Sequence, residues 1–186
     1  MKIFTRLAAL STVALVTACS ETPDDSRLQE KVIRGFYQQH LKAHNPGIPG
    51  ADELKQLQPF LSPMLFALLS KASDAEARYR AAATDGVPPP LVNGDLFTSL
   101  FEGATSFSLD SCESENNRAS CTVRFRYRAS SSDAKDDSDE SWRDKLLLVR
   151  QNQQWLIDDI EFIGNSQSAQ TEYLTDTLNS IVNDYQ

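Results

Sequence analysis

The chain contains few of the residues on which metal and redox sites depend. Of its 186 residues, three are cysteine and two are histidine, and neither a CxxC nor an HExxH motif occurs. A zinc site needs three or four ligands, which His40 and His44 do not supply by themselves. These histidines stand at i and i+4, but the surrounding HLKAHNPG is polar, which favours a solvated helix face. We therefore predict no metal and no cofactor.

Basic residues are also scarce relative to acidic ones. The sequence has 18 Lys and Arg against 26 Asp and Glu, which gives a formal net charge of −8. Nucleic-acid binding depends on a basic surface that neutralises phosphates. The composition therefore argues against a nucleic-acid partner and against direct attraction of the protein to anionic lipid.

The apolar run at the N-terminus is too short for a permanent membrane span. Lys2 and Arg6 form a positive flank, and LAALSTVALVTA follows with apolar or small residues. A helix that crosses a bilayer needs about 20 apolar residues. The segment is typical of a secretory signal.

The end of this signal, VTAC, resembles the lipobox of bacterial lipoproteins. The resemblance implies cleavage before Cys19, a diacylglyceryl group on its thiol and an acyl chain such as palmitate on its amine; several chains make a lasting anchor. Ser20, rather than aspartate, follows Cys19. Gram-negative lipoproteins with this pattern are sorted to the outer membrane. The resemblance therefore implies an anchor in the inner leaflet of the outer membrane, facing the periplasm. The alternative is a secreted protein with a chance cysteine. We expect a signal peptide over 1–18, a lipidated cysteine and tether over 19–25, and one domain over 26–186.

The other two cysteines, Cys112 and Cys121, predict a disulfide bond, since exported chains commonly pair their cysteines. A two-residue turn at 116–117 places them opposite each other in a hairpin, and asparagine tolerates the positive φ of such a turn. In this register the apolar residues of the two strands face opposite sides. A one-residue bulge near Asp110 and Ser111 would bring them to one face.

The order of predicted elements indicates an α+β fold. A first helix carries Ser26 and Gln29 at capping-box spacing, and a later one has Ser62 as N-cap and Pro63 at its first position. We predict N-terminal helices packed on a curved four-stranded antiparallel sheet, followed by a C-terminal helix. The four strands are expected at 104–112, 119–130, 141–151 and 154–163.

The segments FYQQHL, LSPML, GDLFTSLFEGATSF and WLIDDIEF, in this order, resemble a group of uncharacterised bacterial envelope proteins of the nuclear transport factor 2-like fold. The resemblance covers roughly residues 28 to 165. It implies a cone whose helices close over a concave sheet, often around a pocket. The wider fold includes isomerases, dehydratases and non-catalytic binders, so the fold does not supply the function.

Asp158 and Asp159 are the candidate catalytic residues. Adjacent strand residues point to opposite faces, so one aspartate should meet the helix side and could act as a base there. We favour a structural role for both, in which one aspartate caps or orients backbone and the other pairs with an arginine of the neighbouring strand.

Arg124, Arg126 and Arg128 alternate with apolar residues and so share one sheet face. They could meet an acidic partner. We favour cross-strand pairs with carboxylates such as Asp144, Asp159 or Glu161. The nearby run 146–149 is apolar on both strand faces, so the C-terminal helix or a partner, including a second copy, should cover the second face.

Two functions follow. In the first, a non-catalytic lipoprotein docks onto a protein partner of an envelope complex, with homo-oligomerisation also open. In the second, the cone holds a small apolar ligand or substrate, with Asp158 or Asp159 and tyrosines such as Tyr37 or Tyr79 as polar contacts, as in an isomerase or dehydratase. The first is favoured because the sequence carries no recognisable catalytic set.

Overall fold

A computed structural model describes residues 23–43, 45–84, 86–128, 139–164 and 172–185. The signal peptide, Cys19 and His44 lie outside the described residues. The fold is α+β. Its helices are α1 (Pro23–Ala43), α2 (Ala51–Leu57), α3 (Pro63–Ala82) and α4 (Leu174–Asp184), with a 3₁₀ turn at Gln58–Phe60. Its strands are β1 (Ser106–Glu115), β2 (Arg118–Tyr127), β3 (Glu140–Gln151), β4 (Gln154–Gly164) and β5 (Glu172–Tyr173).

The strands form one antiparallel sheet in the order β1-β2-β3-β4-β5. The prediction of four strands is therefore wrong by one. The fifth strand has only two residues, and they pair with Phe162 and Glu161 of β4. A two-residue strand has no alternation to recognise, which is why the sequence pattern missed it.

The β1–β2 hairpin has the predicted register. Asn116 occupies the turn with φ of 57°, and Cys112 lies opposite Cys121. Their sulfur atoms are joined in a disulfide with an S–S distance of 2.02 Å. The register shifts between Leu109 and Ser111, where the bulge was expected, and Leu109 then faces Val123. The bulge thus restores a common apolar face for the two strands.

Aromatic side chains fill the space between α1 and the sheet. Phe36 and Tyr37 of α1 are fully buried, as is Phe125 of β2. The Tyr37 ring centroid lies 4.9 Å from that of Phe125, and its hydroxyl donates to the Phe97 carbonyl at 3.1 Å. Burial, with smaller contributions from the Asp144 and Asp95 carboxylates, raises the pKa of Tyr37 well above its ordinary value. These contacts place the Tyr37 side chain in the core between α1 and the sheet.

The start of α1 differs from the prediction, whereas the start of α3 matches it. Proline suits the first position of a helix, and α1 begins at Pro23, so Ser26 lies inside the helix and is not its cap. Gln29 is buried and donates to the Ser114 hydroxyl at 2.7 Å. At α3, the Ser62 hydroxyl accepts from the Leu65 N–H at 3.1 Å, as an N-cap should.

Candidate functional site

A groove of about 1070 Å³ runs between the sheet, α3 and α4. Its floor includes Ser120, Leu147 and Asp159, which are successive cross-strand partners and so share one face of the sheet. The walls come from α3, α4 and the β1–β2 hairpin. They comprise Met64, Ala67, Leu68, Lys71, Glu113, Ser114, Glu115, Arg118, Thr175 and Asn179.

A bulge in β4 brings both predicted aspartates into this groove. Leu147 pairs with Asp159 whereas Leu148 pairs with Ile157, so Asp158 is the extra residue. Ile157 and Ile160 are both fully buried. Two buried residues three positions apart require a change of alternation between them. The expectation that Asp158 and Asp159 point to opposite faces is therefore wrong, since both line the groove.

Asp159 organises the start of α4. Its Oδ1 accepts from the backbone N–H of Ile160 at 2.8 Å and of Thr175 at 3.0 Å, and its Oδ2 accepts from the Thr175 hydroxyl at 2.6 Å. Thr175 lies in the first turn of α4, where backbone N–H groups lack helical partners and a negative charge is favourable. Asp159 thus has the structural role that was weighed against catalysis.

Asp158 differs from its neighbour because no hydrogen bond or ion pair reaches its carboxylate from the described residues. It is half-buried in the groove. The predicted tyrosine contacts are not there. Tyr37 lies in the core, and the ring of Tyr79 packs against that of Tyr185 with centroids 5.2 Å apart. Neither tyrosine is brought to the aspartates.

The apolar run of β3 supplies both sides of the sheet, as predicted. Leu146 and Leu148 are buried in the core. Leu147 and Val149 are half-buried on the other face. That face is only partly covered, because Leu147 forms part of the groove floor.

His40 is buried, with 2% of its surface exposed, so the predicted solvated face is wrong for this residue. The polar sequence around it hid the fact that position 40 shares a helix face with Phe36, whose ring stacks on the imidazole. Its Nε2 lies 2.8 Å from Asp95 Oδ2, and Asp95 Oδ1 accepts from the Phe97 N–H at 2.7 Å. Its Nδ1 is sealed from solvent and has no partner among the described residues. The contact between His40 and Asp95 ties α1 to the loop before β1.

The arginine row uses different carboxylates from those predicted. Arg124 and Arg143 both bind Asp110, each at 2.9 Å, and Arg128 binds Asp139 at 2.9 Å. Asp110 is the bulge residue of β1, which places its carboxylate between the two cations. Hydrogen bonds, from Arg124 first and then Arg143, hold the pKa of the Asp110 carboxyl below its ordinary value. Arg124 therefore has a cross-strand carboxylate, as favoured, but this is Asp110 and not Asp144, Asp159 or Glu161. Arg128 is paired with Asp139, which lies just before β3.

Asp144 was predicted to pair with an arginine, but it is fully buried in the core. Its carboxylate accepts from the backbone N–H of Ser99 at 2.9 Å, Ile163 at 3.0 Å and Gly164 at 3.2 Å, and from the Trp142 indole at 3.1 Å. The Ser99 hydroxyl also donates to it. The sequence contained a signal for this burial: Asp144 stands two positions after Trp142, so the two side chains share the inward face of β3. Asp144 joins the loop before β1 to the ends of β3 and β4.

Within the described ranges, no group of three or more histidine, cysteine and acidic side chains is placed to hold a metal ion. In the same part of the chain, no helix combines the length and the apolar character needed to cross a membrane.

No protein-family model matches the chain. It is similar to the uncharacterised lipoprotein YbjP of Escherichia coli (strain K12), with 29% identity over 119 residues that cover 64% of this chain and 60% of that protein. The match thus spans less than two thirds of the relative's length. A crystal structure of a protein of unknown function from Bacteroides thetaiotaomicron covers 74% of this chain and 93% of its own, with 16% identity and a TM-score of 0.34. A likeness that weak carries no argument about fold or function.

Proposed function

We propose that this chain is a lipid-anchored envelope protein whose folded part binds a protein partner in the groove, without catalysis. The lipobox-like VTAC that ends at Cys19 supports the anchor, and the similarity to a lipoprotein of Escherichia coli agrees with it. Ser20 favours the inner leaflet of the outer membrane, with the folded part in the periplasm. Pro23, the first residue of α1, stands four positions after Cys19, so the chain between them spans at most about 14 Å. The folded part would therefore work close to the membrane.

The observation that carries the proposal is the lining of the groove. Its volume of about 1070 Å³ lies at the upper end of the range of small-ligand pockets, about 300–1000 Å³, so its size admits either kind of occupant. Leu68 and Leu147 are half-buried in it, and Met64 at its rim is 63% exposed. Apolar side chains left open beside polar ones are typical of protein interaction sites.

The chemistry of the groove supports binding over catalysis. A general base needs a partner or a substrate within hydrogen-bond reach and groups that orient it. Asp159 is occupied by the start of α4, and no histidine or tyrosine is among the lining residues. His40 is sealed in the core at a different place.

A small, mainly apolar ligand is the second candidate: Leu147 would offer it an apolar contact and the Asp158 carboxylate a polar one. An isomerase or dehydratase would use this carboxylate as its base. The two candidates differ in what occupies the groove, a protein segment or a small molecule.

Co-purification from membranes tests the proposal. The full chain is purified in mild detergent from cells that carry the wild-type protein, Leu147→Arg, or the control Ile163→Arg at an exposed apolar position of β4 outside the groove. We expect one partner protein to be retained by the wild type and the control and lost with Leu147→Arg. Circular dichroism must show that both variants are folded. A partner retained equally by all three would contradict docking in the groove.

Cys19→Ala tests the anchor separately. We expect this variant to keep its signal peptide and to lack lipid in intact-mass measurement, whereas the wild type carries acyl chains on its first residue.

A further inference from the structure

We infer that Asp158 selects a cationic side chain on the protein segment that binds in the groove. The inference rests on the proposed function and adds the chemistry of the partner. The segment presents an apolar residue to Leu147 and a lysine or arginine to the Asp158 carboxylate.

The bulge in β4 is the first observation. A bulge interrupts the hydrogen-bond ladder and re-aims the side chains beside it. One of the two re-aimed side chains, Asp159, is explained by its three hydrogen bonds at the start of α4. The other, Asp158, receives no hydrogen bond or ion pair from the described residues. A half-buried carboxylate without a donor loses hydration that a partner's cation would replace.

The charge of the lining is the second observation. Four carboxylates line the groove, on Glu113, Glu115, Asp158 and Asp159, against two cations, on Lys71 and Arg118. Glu115 and Arg118 are cross-strand partners at the hairpin end, where their charges offset each other. The rest of the groove is acidic, so it repels anionic segments and attracts cationic ones.

The apolar floor is the third observation. Leu147 lies beside Asp159 in the sheet register and one strand away from the Asp158 bulge. Leu68 of α3 lines the same groove. An isolated cation would leave these leucines in water, whereas a peptide with neighbouring leucine and lysine side chains covers both features. This match favours a protein segment as the occupant.

Three fluorescein-labelled peptides test the inference by anisotropy with the full-length lipidated protein in detergent. They are Ser-Leu-Lys-Leu-Lys-Leu-Ser, the same peptide with glutamate for lysine, and the same peptide with serine for leucine. We expect the leucine–lysine peptide to bind at least about tenfold more tightly than either of the others, since one ion pair and one apolar contact are each of that order. Raising the NaCl concentration to 0.5 M should reduce the lysine preference.

Variants of the carboxylate provide the decisive comparison. Asp158→Asn should weaken the leucine–lysine peptide by about tenfold, and Asp158→Lys should reverse the preference in favour of the glutamate peptide. Asp74→Asn, at an exposed position of α3 outside the groove, is the matched control and should change nothing. Thermal melts monitored by circular dichroism establish that each variant is folded.

Three outcomes would overturn the inference: equal binding of the lysine and glutamate peptides, unchanged binding by Asp158→Asn, or no peptide binding. None of these three outcomes decides whether a protein docks in the groove, since that is tested separately by co-purification with Leu147→Arg. Sedimentation that shows a dimer dissociated by Leu147→Arg would assign the groove to a second copy and would also overturn it.

Discussion

Asp158 and Asp159 are adjacent in the sequence, but the structure predicts a large loss of stability when Asp159 is removed and almost none when Asp158 is removed. Asp159→Ala removes the acceptor for two backbone N–H groups and for the Thr175 hydroxyl. Loss of a helix-capping side chain costs about 0.5–2 kcal/mol, and a hydrogen bond to a charged group contributes about 1.5–3 kcal/mol. Because Asp159 is half-buried and water can replace part of this, we expect the free energy of unfolding to fall by about 2 kcal/mol.

Asp158→Ala removes a carboxylate with no hydrogen bond from the described residues. This substitution should change the free energy of unfolding by no more than about 0.5 kcal/mol. Urea denaturation of both variants measures the difference, and the melting temperature of Asp159→Ala should fall by about 4–8 °C. The stability of Asp159→Asn should lie between those of the wild type and Asp159→Ala, because the amide oxygen of asparagine can still accept a hydrogen bond. Equal losses at the two positions, or a fully stable Asp159→Ala, would refute the capping role and with it the argument that Asp159 is not a base.

Three further outcomes follow from the fold. The double variant Cys112→Ala/Cys121→Ala should lose about 2.7 kcal/mol of stability in urea denaturation, the chain-entropy value for a loop of about ten residues; a loss under about 1 kcal/mol would contradict it. Asp110→Asn should lose about 0.5–1 kcal/mol at pH 7. Because the folded-state pKa of Asp110 is lowered, this difference should shrink as the pH falls below about 4, and an unchanged difference at pH 3 would count against the two-arginine contact. Asp144→Ala should lose at least about 3 kcal/mol, because it leaves several buried donors unpaired, and near-normal stability would contradict their dependence on Asp144.

Local patterns in the sequence were sufficient to predict much of the architecture. The hairpin register of Cys112 and Cys121 follows from a two-residue turn, and Ser62 before Pro63 specifies a helix start. Both depend on residues within a few positions of each other. The bulge near Asp110 was predictable because without it the apolar faces of the two strands conflict.

The groove could not be predicted, because it depends on how distant segments meet. The β4 bulge is present in the sequence only as a break in the alternation between Ile157 and Ile160. The interpretation as a regular strand placed the two aspartates on opposite faces. The burial of His40 depends on Asp95 and Phe97, which lie more than fifty positions away. A polar neighbourhood in sequence is no guide to such a contact.

Site-specific photo-crosslinking in intact cells tests the central claim most directly. A photoreactive phenylalanine analogue is placed at Leu147, Leu68 or, as the control, Val87, which is 87% exposed outside the groove. Docking of a protein segment predicts the same crosslinked species from both groove positions, identified by mass spectrometry, and none from the control. Equal yields at all three positions, or no crosslink to another protein from either leucine, would contradict it.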